Sequence, residues 1–334
     1  MARITVKNQV LNILHKHKGT YYSGQELAEE LDVSRTAVWK AINKLREEGY
    51  SIEGSTKLGY AMADDTDILN VDEIYDNLDK DAKTFYKIEC KDVVDSTNNI
   101  CRTLGDAGEV EGRCVVASKQ TAGKGRRGRK FESPDTTGVY LSVLLRPDMP
   151  ISDSVHITTA AAVAAAKACE MIDDNIKEKD VDIKWVNDLF IRGKKFAGIL
   201  TEASVSMETG RLDYAVLGIG FNLAAPKDGW PEELKDIAGS LFEDEYPNGT
   251  RNRLVAAFLE EFYQVYKKLP DVTYLDEYRS RQMAIGKEIK VIEADGTFRK
   301  AKAIDVDDNC HLVVLFEGET ETKAIDSGEI SIRF

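Results

Sequence analysis

No stretch of this 334-residue sequence approaches 18 consecutive apolar residues, so none reads as a membrane span. The opening MARITVKNQV has none of the long apolar segment of a secretory signal. Cysteines number five (Cys90, Cys101, Cys114, Cys169, Cys310), widely spaced and without C-x-x-C, so reduced thiols in a cytoplasmic protein are expected. The four histidines (His15, His17, His156, His311) are too scattered for a metal cluster, and no protein-built metal site is expected. A G-x-x-x-x-G-K-[ST] phosphate loop is missing, as are H-R-D and D-F-G, which excludes P-loop nucleotidases and protein kinases. A net positive charge is lacking: 58 Asp and Glu outnumber 45 Lys and Arg, so the net charge is -13 and the pI about 5.0. Wholesale coating of nucleic acid is therefore excluded, but one local DNA-binding face is not. The length suits two or three domains.

Against that acidic background, Lys119 to Phe131 (KQTAGKGRRGRKF) holds six Lys or Arg, three Gly and no acid. Glycines let backbone N–H groups converge on an anion, and guanidinium groups bind phosphate oxygens two at a time. Gly123, Gly125 and Gly128 satisfy G-x-G-x-x-G, yet Ser133-Pro134 and the β-like run Val139 to Leu145 follow. No helix opens there, so the dinucleotide-binding turn fails on context. A loop closing over a phosphate-bearing ligand is the simplest reading. A solvated basic loop is the alternative, and the loop alone does not decide between them.

The first sixty residues alternate caps with helical periodicity. Val6, Val10, Leu11 and Leu14 mark a first helix from Ile4 to His17, ended by Gly19. Ser23 with Glu26 forms an S-x-x-E capping box for a second, and Ser34 caps a third that ends at Gly49. Ser51 to Gly54 and Leu58 to Tyr60 read as a β-ribbon wing. This is a winged helix-turn-helix over 1–62. Its third helix offers Ser34, Arg35, Thr36, Trp39, Lys40 and Lys44 for phosphate and base-edge contacts. Residues 1–62 carry only +2 by count, so useful DNA affinity calls for a dimer. Residues 63–82, with an acidic helix from Asp72 to Asp81, read as a linker.

In the central region, 83–283, a strand from Tyr86 to Cys90 precedes a helix opening at Val94 to Asn98. Ser96 or Thr97 either caps that helix or offers its hydroxyl to a polar ligand; capping is the expectation from these residues alone. Val139 to Arg146 is a strand with Tyr140 and Ser142 on one face, and the alanine-rich Ser154 to Met171 is a helix against a sheet. Val181 to Asn187 alternates, setting Lys184 opposite Ile183 and Trp185. Asn187 and Asp188 directly after it favour a cation held for a ligand over a snorkelling edge lysine. A hairpin at Arg192 to Lys194, then Lys195 to Leu200 and Ala215 to Asn222, complete the sheet. Amphipathic helices cover Thr250 to Leu269 and Asp271 to Arg281, and five short strands over 284–334 suggest a small SH3-like barrel.

Asp95-Ser-Thr-Asn98, Gln120 to Arg129, Lys184-Trp-Val-Asn-Asp188, Lys195-Phe-Ala-Gly-Ile199 and Gly218-Ile-Gly-Phe-Asn222 occur in the order seen in biotin protein ligases. With a winged helix in front and a β-barrel behind, nearly the whole chain resembles the bacterial bifunctional biotin ligase and biotin operon repressor. The resemblance implies an α+β multidomain protein whose central domain is class II synthetase-like, a mixed sheet flanked by helices. It implies ATP and biotin as substrates, Mg2+, and a biotinyl-5′-adenylate intermediate. The acceptor is then a lysine of the biotin carboxyl carrier protein of acetyl-CoA carboxylase or pyruvate carboxylase. Further implied partners are operator DNA and a second copy of the chain on ligand binding, with no membrane.

By the same resemblance Lys184 and Arg126 are catalytic, and Ser96, Thr97, Asn98 and Gln120 hold biotin. Gly123, Lys124, Gly125, Arg126, Arg129 and Phe131 form the lid. Tyr140, Ser142, Asn187, Asp188, Lys195, Gly198, Ile199, Gly220 and Asn222 line the rest of the adenylate site. Three positions depart: Lys124 where many members have arginine, Val186 where proline is common, and Phe131 where some have tryptophan. Lysine keeps the charge of arginine but loses the bidentate fork, so adenylate retention is expected to differ in degree. A ligand-sensing repressor without ligase activity and a lipoate or octanoate ligase are the rival readings.

Overall fold

The computed structural model describes residues 5–47, 50–63, 67–135, 137–244, 246–247, 249–292, 296–326 and 329–332. Ile4, Gly49, part of the 63–67 connector and part of the Ala294 to Gly296 turn lie outside the described residues. The chain divides into two units, one of residues 1–68 with 247–251, the other of 69–246 with 252–334.

Local capping sets the first unit. Ser23 Oγ accepts from the Glu26 N–H at 3.1 Å while the Glu26 carboxylate accepts from the Ser23 N–H at 2.7 Å. These two bonds satisfy donors that helix α2 (Gly24–Glu30) would otherwise leave orphaned. Ser34 Oγ likewise accepts from the Ala37 N–H at the start of α3 (Arg35–Glu47). Helix α1 (Val6–Lys16) packs its Val10, Leu11 and Leu14 against Val38, Ile42 and Leu45 of α3. Strands β1 (Ile52–Ser55) and β2 (Gly59–Met62) pair antiparallel as the wing. Replacing Ser23 by alanine should lower the stability of this unit by about 1 kcal/mol, read as a shift in its denaturant midpoint.

The second unit begins earlier than a linker at 63–82 would allow. Leu69, Ile74, Leu78 and Ala82 are buried in its main core. The acidic stretch forms two helices, α4 (Val71–Asp76) and α5 (Lys80–Phe85), not one. Asn70 Oδ1 caps the first by accepting from the N–H groups of Asp72 and Glu73. Asn77 and Asp79 serve as end and start signals, which interrupt the helical run.

Seven strands then make one sheet. They are β3 (Lys87–Val94), β4 (Arg113–Gln120), β5 (Gly138–Leu145), β6 (Asp182–Lys184), β7 (Asp188–Ile191), β8 (Lys194–Val205) and β9 (Leu212–Asn222). Their order is β3-β4-β5-β9-β8-β7-β6, parallel between β3 and β4 and antiparallel elsewhere. Side chains alternate across it. Val115, Leu144 and Val216 pack with Cys101 of helix α6 (Thr97–Asp106), while Cys114, Val116 and Val143 join the main core. That core includes helix α7 (Val155–Ile172), which is long and apolar enough to cross a membrane by composition but is mostly buried here. Its alanines leave little standing off from the sheet, so helix and strands approach closely.

Helix α8 (Thr250–Tyr266) adds Phe258 and Phe262 to the core, and α9 (Leu275–Ser280) adds Leu275 and Tyr278. The final strands, β10 (Glu288–Ile292), β11 (Phe298–Val306), β12 (Leu312–Phe316), β13 (Lys323–Ile325) and β14 (Glu329–Ile332), form an antiparallel sheet ordered β13-β12-β11-β10-β14.

Candidate active site

The run Val181 to Asn187 is not one continuous strand. β6 stops at Lys184, and the next residues turn toward partners outside the sheet. Trp185 donates its indole N–H to the Cys310 carbonyl at 2.9 Å, and Tyr278 donates its hydroxyl to the Val186 carbonyl at 3.0 Å. Ile183 bonds through its N–H to the Arg281 carbonyl and through its carbonyl to the Met283 N–H. Lys184 is therefore carried on a segment held from both sides, half-buried between Ile183 and Trp185. Its ammonium lies 6.0 Å from the centre of the Phe190 ring.

The basic loop leaves β4 at Gln120 and folds back on itself. Gly125 donates its N–H to the Arg129 carbonyl at 2.7 Å, and Phe131 donates to the Gly123 carbonyl at 3.0 Å. Gly128 (φ 73°) and Arg127 (φ 55°) take the left-handed conformation that closes the turn. The two arginines diverge. Arg126 reaches inward, its Nη1 donating to Asn187 Oδ1 at 3.1 Å, while Arg127 is exposed. Asn187 in turn donates its amide to the Ile199 carbonyl at 2.7 Å, which fixes its oxygen toward the arginine.

Beneath the loop lie two adjoining spaces. The outer is a cavity of about 310 Å³. Lys124, Gly125, Arg126, Arg129 and Phe131 of the loop line it, with Lys184, Asn187, Asp188, Lys195, Gly198, Ile199 and Asn222 from the sheet. The inner recess of about 30 Å³ is lined by Ser96, Thr97, Asn98 and Gln120, and it shares Lys124, Phe131 and Gly198 with the outer space. Seven lysines and arginines lie along the outer wall, and hydroxyls and amides gather on the inner one.

The inner side chains form one hydrogen-bonded set. Gln120 Oε1 accepts from the Thr97 N–H at 2.9 Å, and Gln120 Nε2 donates to Ser133 Oγ at 3.0 Å. Ser142 Oγ lies 2.7 Å from Thr97 Oγ1 and 2.6 Å from Asn98 Oδ1. Ser96 sits at the N-cap, just before α6, without the side-chain capping bond expected of it. Ser96 is buried and lines the recess, and the Thr97 N–H beside it is taken by Gln120. Beside it, the bond from Asn99 to Asp95 at 2.6 Å holds the Asp95 carboxyl below its usual pKa range.

Ser142 and Tyr140 lie behind the recess, not in its wall. Tyr140 meets Phe131 edge-on with ring centres 6.3 Å apart and donates to the Pro134 carbonyl. Gly220 lines the recess because a Cβ there would meet the Phe131 ring at 2.5 Å. Gly123 is a loop hinge: a Cβ would lie 2.4 Å from the Phe131 carbonyl oxygen. In the outer cavity, Lys195 Nζ pairs with Asp188 Oδ1 at 2.7 Å.

Sequence reasoning gave no site role to Gly218, which lines the recess, or to Glu202 and Ser133, which bond to the lining residues Asn98, Lys124 and Gln120. It also missed the segment carrying Trp230, Leu234 and Ile237, which forms an apolar rim to the outer cavity. The rim is stitched to β8 by the Lys195 N–H donating to the Ile237 carbonyl and the Gly239 N–H donating to the Lys195 carbonyl. The signal was the Trp230 and Pro231 pair standing alone in a polar stretch.

In the other unit, Ser34, Arg35, Thr36, Trp39, Lys40 and Lys44 are all exposed on α3. Arg35, Thr36 and Trp39 share a 650 Å³ groove with Lys57 of the wing. Recognition helix and wing thus present one cationic and aromatic face.

A mixed sheet bearing a cationic cleft beside a polar recess, in a chain that also carries a winged helix, defines an acyl-activating protein ligase fused to a DNA-binding module. The model of the Biotin/lipoate A/B protein ligase family matches residues 91–222, an HTH domain matches 6–61, and the Biotin protein ligase C terminal domain matches 284–333. The chain is 34% identical to the Bifunctional ligase/repressor BirA of Bacillus spizizenii over 99% of both sequences. It is 28% identical to that of Escherichia coli over 94% of both. The biotin protein ligase from Aquifex aeolicus, solved in complex with biotin and ATP, superposes with a TM-score of 0.60 at 27% identity, covering 75% of this chain and 99% of that one. The chain belongs to the bifunctional biotin ligase/repressor family.

Proposed function

We propose that this protein joins biotin and ATP to form biotinyl-5′-adenylate, passes the biotinyl group to a carrier-protein lysine, and represses transcription when the adenylate is bound. The observation that carries the reading is the placement of Lys124, Arg126, Lys184 and Lys195 around one cavity that shares its wall with a recess bearing hydroxyls and amides. Biotin's ureido ring both donates and accepts hydrogen bonds, which Ser96, Thr97, Asn98 and Gln120 answer better than they would the apolar ring of lipoate. Its carboxylate then points outward to the cations. Attack of that carboxylate on the α-phosphate brings two anions together, and cations preorganised at the developing charge oppose the repulsion. We assign that role to Lys184 and Arg126.

The product is a mixed anhydride that water destroys, so a lid that stays closed has a purpose. Lys124, Gly125, Arg126 and Arg129 supply it, and Phe131 with Trp230 covers the adenine. Magnesium, when bound, neutralises the nucleotide phosphates. Among the described residues no cluster of three acids, histidines or cysteines exists to cage it. The carboxylates nearby, Asp188 and Glu202, already pair with lysines, so the ion belongs with the phosphates and at most one of these acids.

The functional division we adopt is 1–62 for DNA, 63–68 as connector, 69–283 for ligation and 284–334 as the C-terminal domain. The acceptor is the biotin carboxyl carrier protein of acetyl-CoA carboxylase or pyruvate carboxylase, in the cytoplasm, and operator binding is by a ligand-induced homodimer.

Labelled biotin, ATP and magnesium should yield labelled adenylate, and label should pass to a carrier domain. No adenylate would sink the enzymatic half and leave a ligand-sensing repressor; preference for lipoate would reassign the substrate. For the repressor half, Arg35→Ala with Lys40→Ala should weaken binding to duplexes from biotin-gene promoters about 10- to 100-fold near 0.15 M salt. Fluorescence anisotropy at several salt concentrations would read this. A normal affinity and salt slope would remove α3 from the DNA interface.

A further inference from the structure

Residues 198, 200 and 202 lie on one face of β8, and the first two line the recess, so Glu202 stands at its end. Its carboxylate divides between two partners. Glu202 Oε2 accepts from Asn98 Nδ2 at 2.7 Å, and Oε1 lies 3.4 Å from Lys124 Nζ. Asn98 is buried, and its amide oxygen already faces Ser142. Without Glu202 that amide would leave a buried donor unmade and lose the contact that sets which way it points. Lys124 belongs to the lid, so a single acid spans a recess residue and a loop residue. A second clamp holds the far end of the same loop: Ser133 Oγ donates to the Phe131 carbonyl at 3.0 Å and accepts from Gln120.

Resting on the ligase reading above, we infer that Glu202 is a positioning residue that couples the recess to the closed lid. Its carboxylate fixes the Asn98 amide at the ring-binding end and draws the Lys124 ammonium down over the ligand. Glutamine at 202 separates these duties. Its amide oxygen still accepts from Asn98, but it carries no charge to hold the lysine.

The experiment loads full-length protein with labelled biotinyl-adenylate and follows its release into unlabelled excess. It uses wild type, Glu202→Gln, Lys124→Gln and the double variant, with biotin affinity in the absence of ATP measured in parallel. Each single variant should release adenylate about tenfold faster, and the double variant no faster than the worse single one. Biotin alone should bind Glu202→Gln within about twofold of wild type, because the recess is intact. Release rates that multiply in the double variant, or a wild-type rate in Glu202→Gln, would overturn the coupling while leaving the ligase reading in place. Failure of wild type to form or retain any adenylate would instead bring down the ligase reading and this inference with it.

Discussion

Lys184→Ala should lower the rate of adenylate formation about 10²- to 10³-fold, the usual effect of removing one preorganised group from a developing charge. A unit charge 4 Å from another at an effective dielectric near 20 interacts by about 4 kcal/mol, so a cation in this half-buried setting has that reserve to draw on. The lysine is not held by flexible packing. Its neighbours Ile183, Trp185 and Val186 are bonded to Arg281, Met283, Cys310 and Tyr278, so the ammonium arrives at one place in the outer cavity. Biotin binding in the absence of ATP should change little, since the recess residues do not depend on Lys184. Arginine at 184 should not restore the rate, because a planar fork differs in shape and reach from a compact ammonium. Pre-steady-state formation of labelled adenylate is the measurement. A rate within about tenfold of wild type would place the transferring phosphate elsewhere in the cleft.

Lys184 was legible in the sequence because alternation set it among apolar residues and Asn187-Asp188 followed at once. The winged helix was legible for a related reason: caps and helical period are local, and Ser23 with Glu26 needs only three residues to declare itself. Charge reversal singled out the basic loop that lines the outer cavity. What stayed hidden depends on the chain meeting itself across long separations. Glu202 reaches Asn98, 104 positions earlier, and nothing in G-I-L-T-E distinguishes it from a solvated acid. The continuous strand read from VDIKWVN fails for a local reason: Trp185 to Asn187 form the turn that joins β6 to β7 and pairs Lys184 with Asp188. The linker reading failed because Leu69, Ile74, Leu78 and Ala82 are too sparse to announce burial within an acidic stretch, yet each is in the core. Ser96 shows the reverse case. Its position predicts a cap, but the side chain makes none and is buried against the recess.

Gly218→Ala should weaken biotin binding about 5- to 150-fold while leaving the fold in place. A Cβ at 218 would lie 2.0 Å from Asn98 Oδ1 and 2.9 Å from Asn98 Cγ, distances that no side chain tolerates. The asparagine has nowhere to retreat, for its amide is held by Ser142 on one side and Glu202 on the other. Either it swings into the recess and fills the space meant for the ring, or it breaks both bonds and leaves buried polar atoms unmade. Overpacking of this kind costs about 1–3 kcal/mol, and here the strain falls on a wall residue of the site. That corresponds to a loss of about 5- to 150-fold in biotin affinity. Gly218 pairs with Ser142 on one side and Leu200 on the other within the middle of the sheet, so β9 itself keeps its ladder. Thermal unfolding of the unliganded variant should therefore stay cooperative, whereas calorimetry should show weak binding of biotin. An unchanged biotin affinity would mean that Asn98 does not border the ring, and the recess would then need a different occupant.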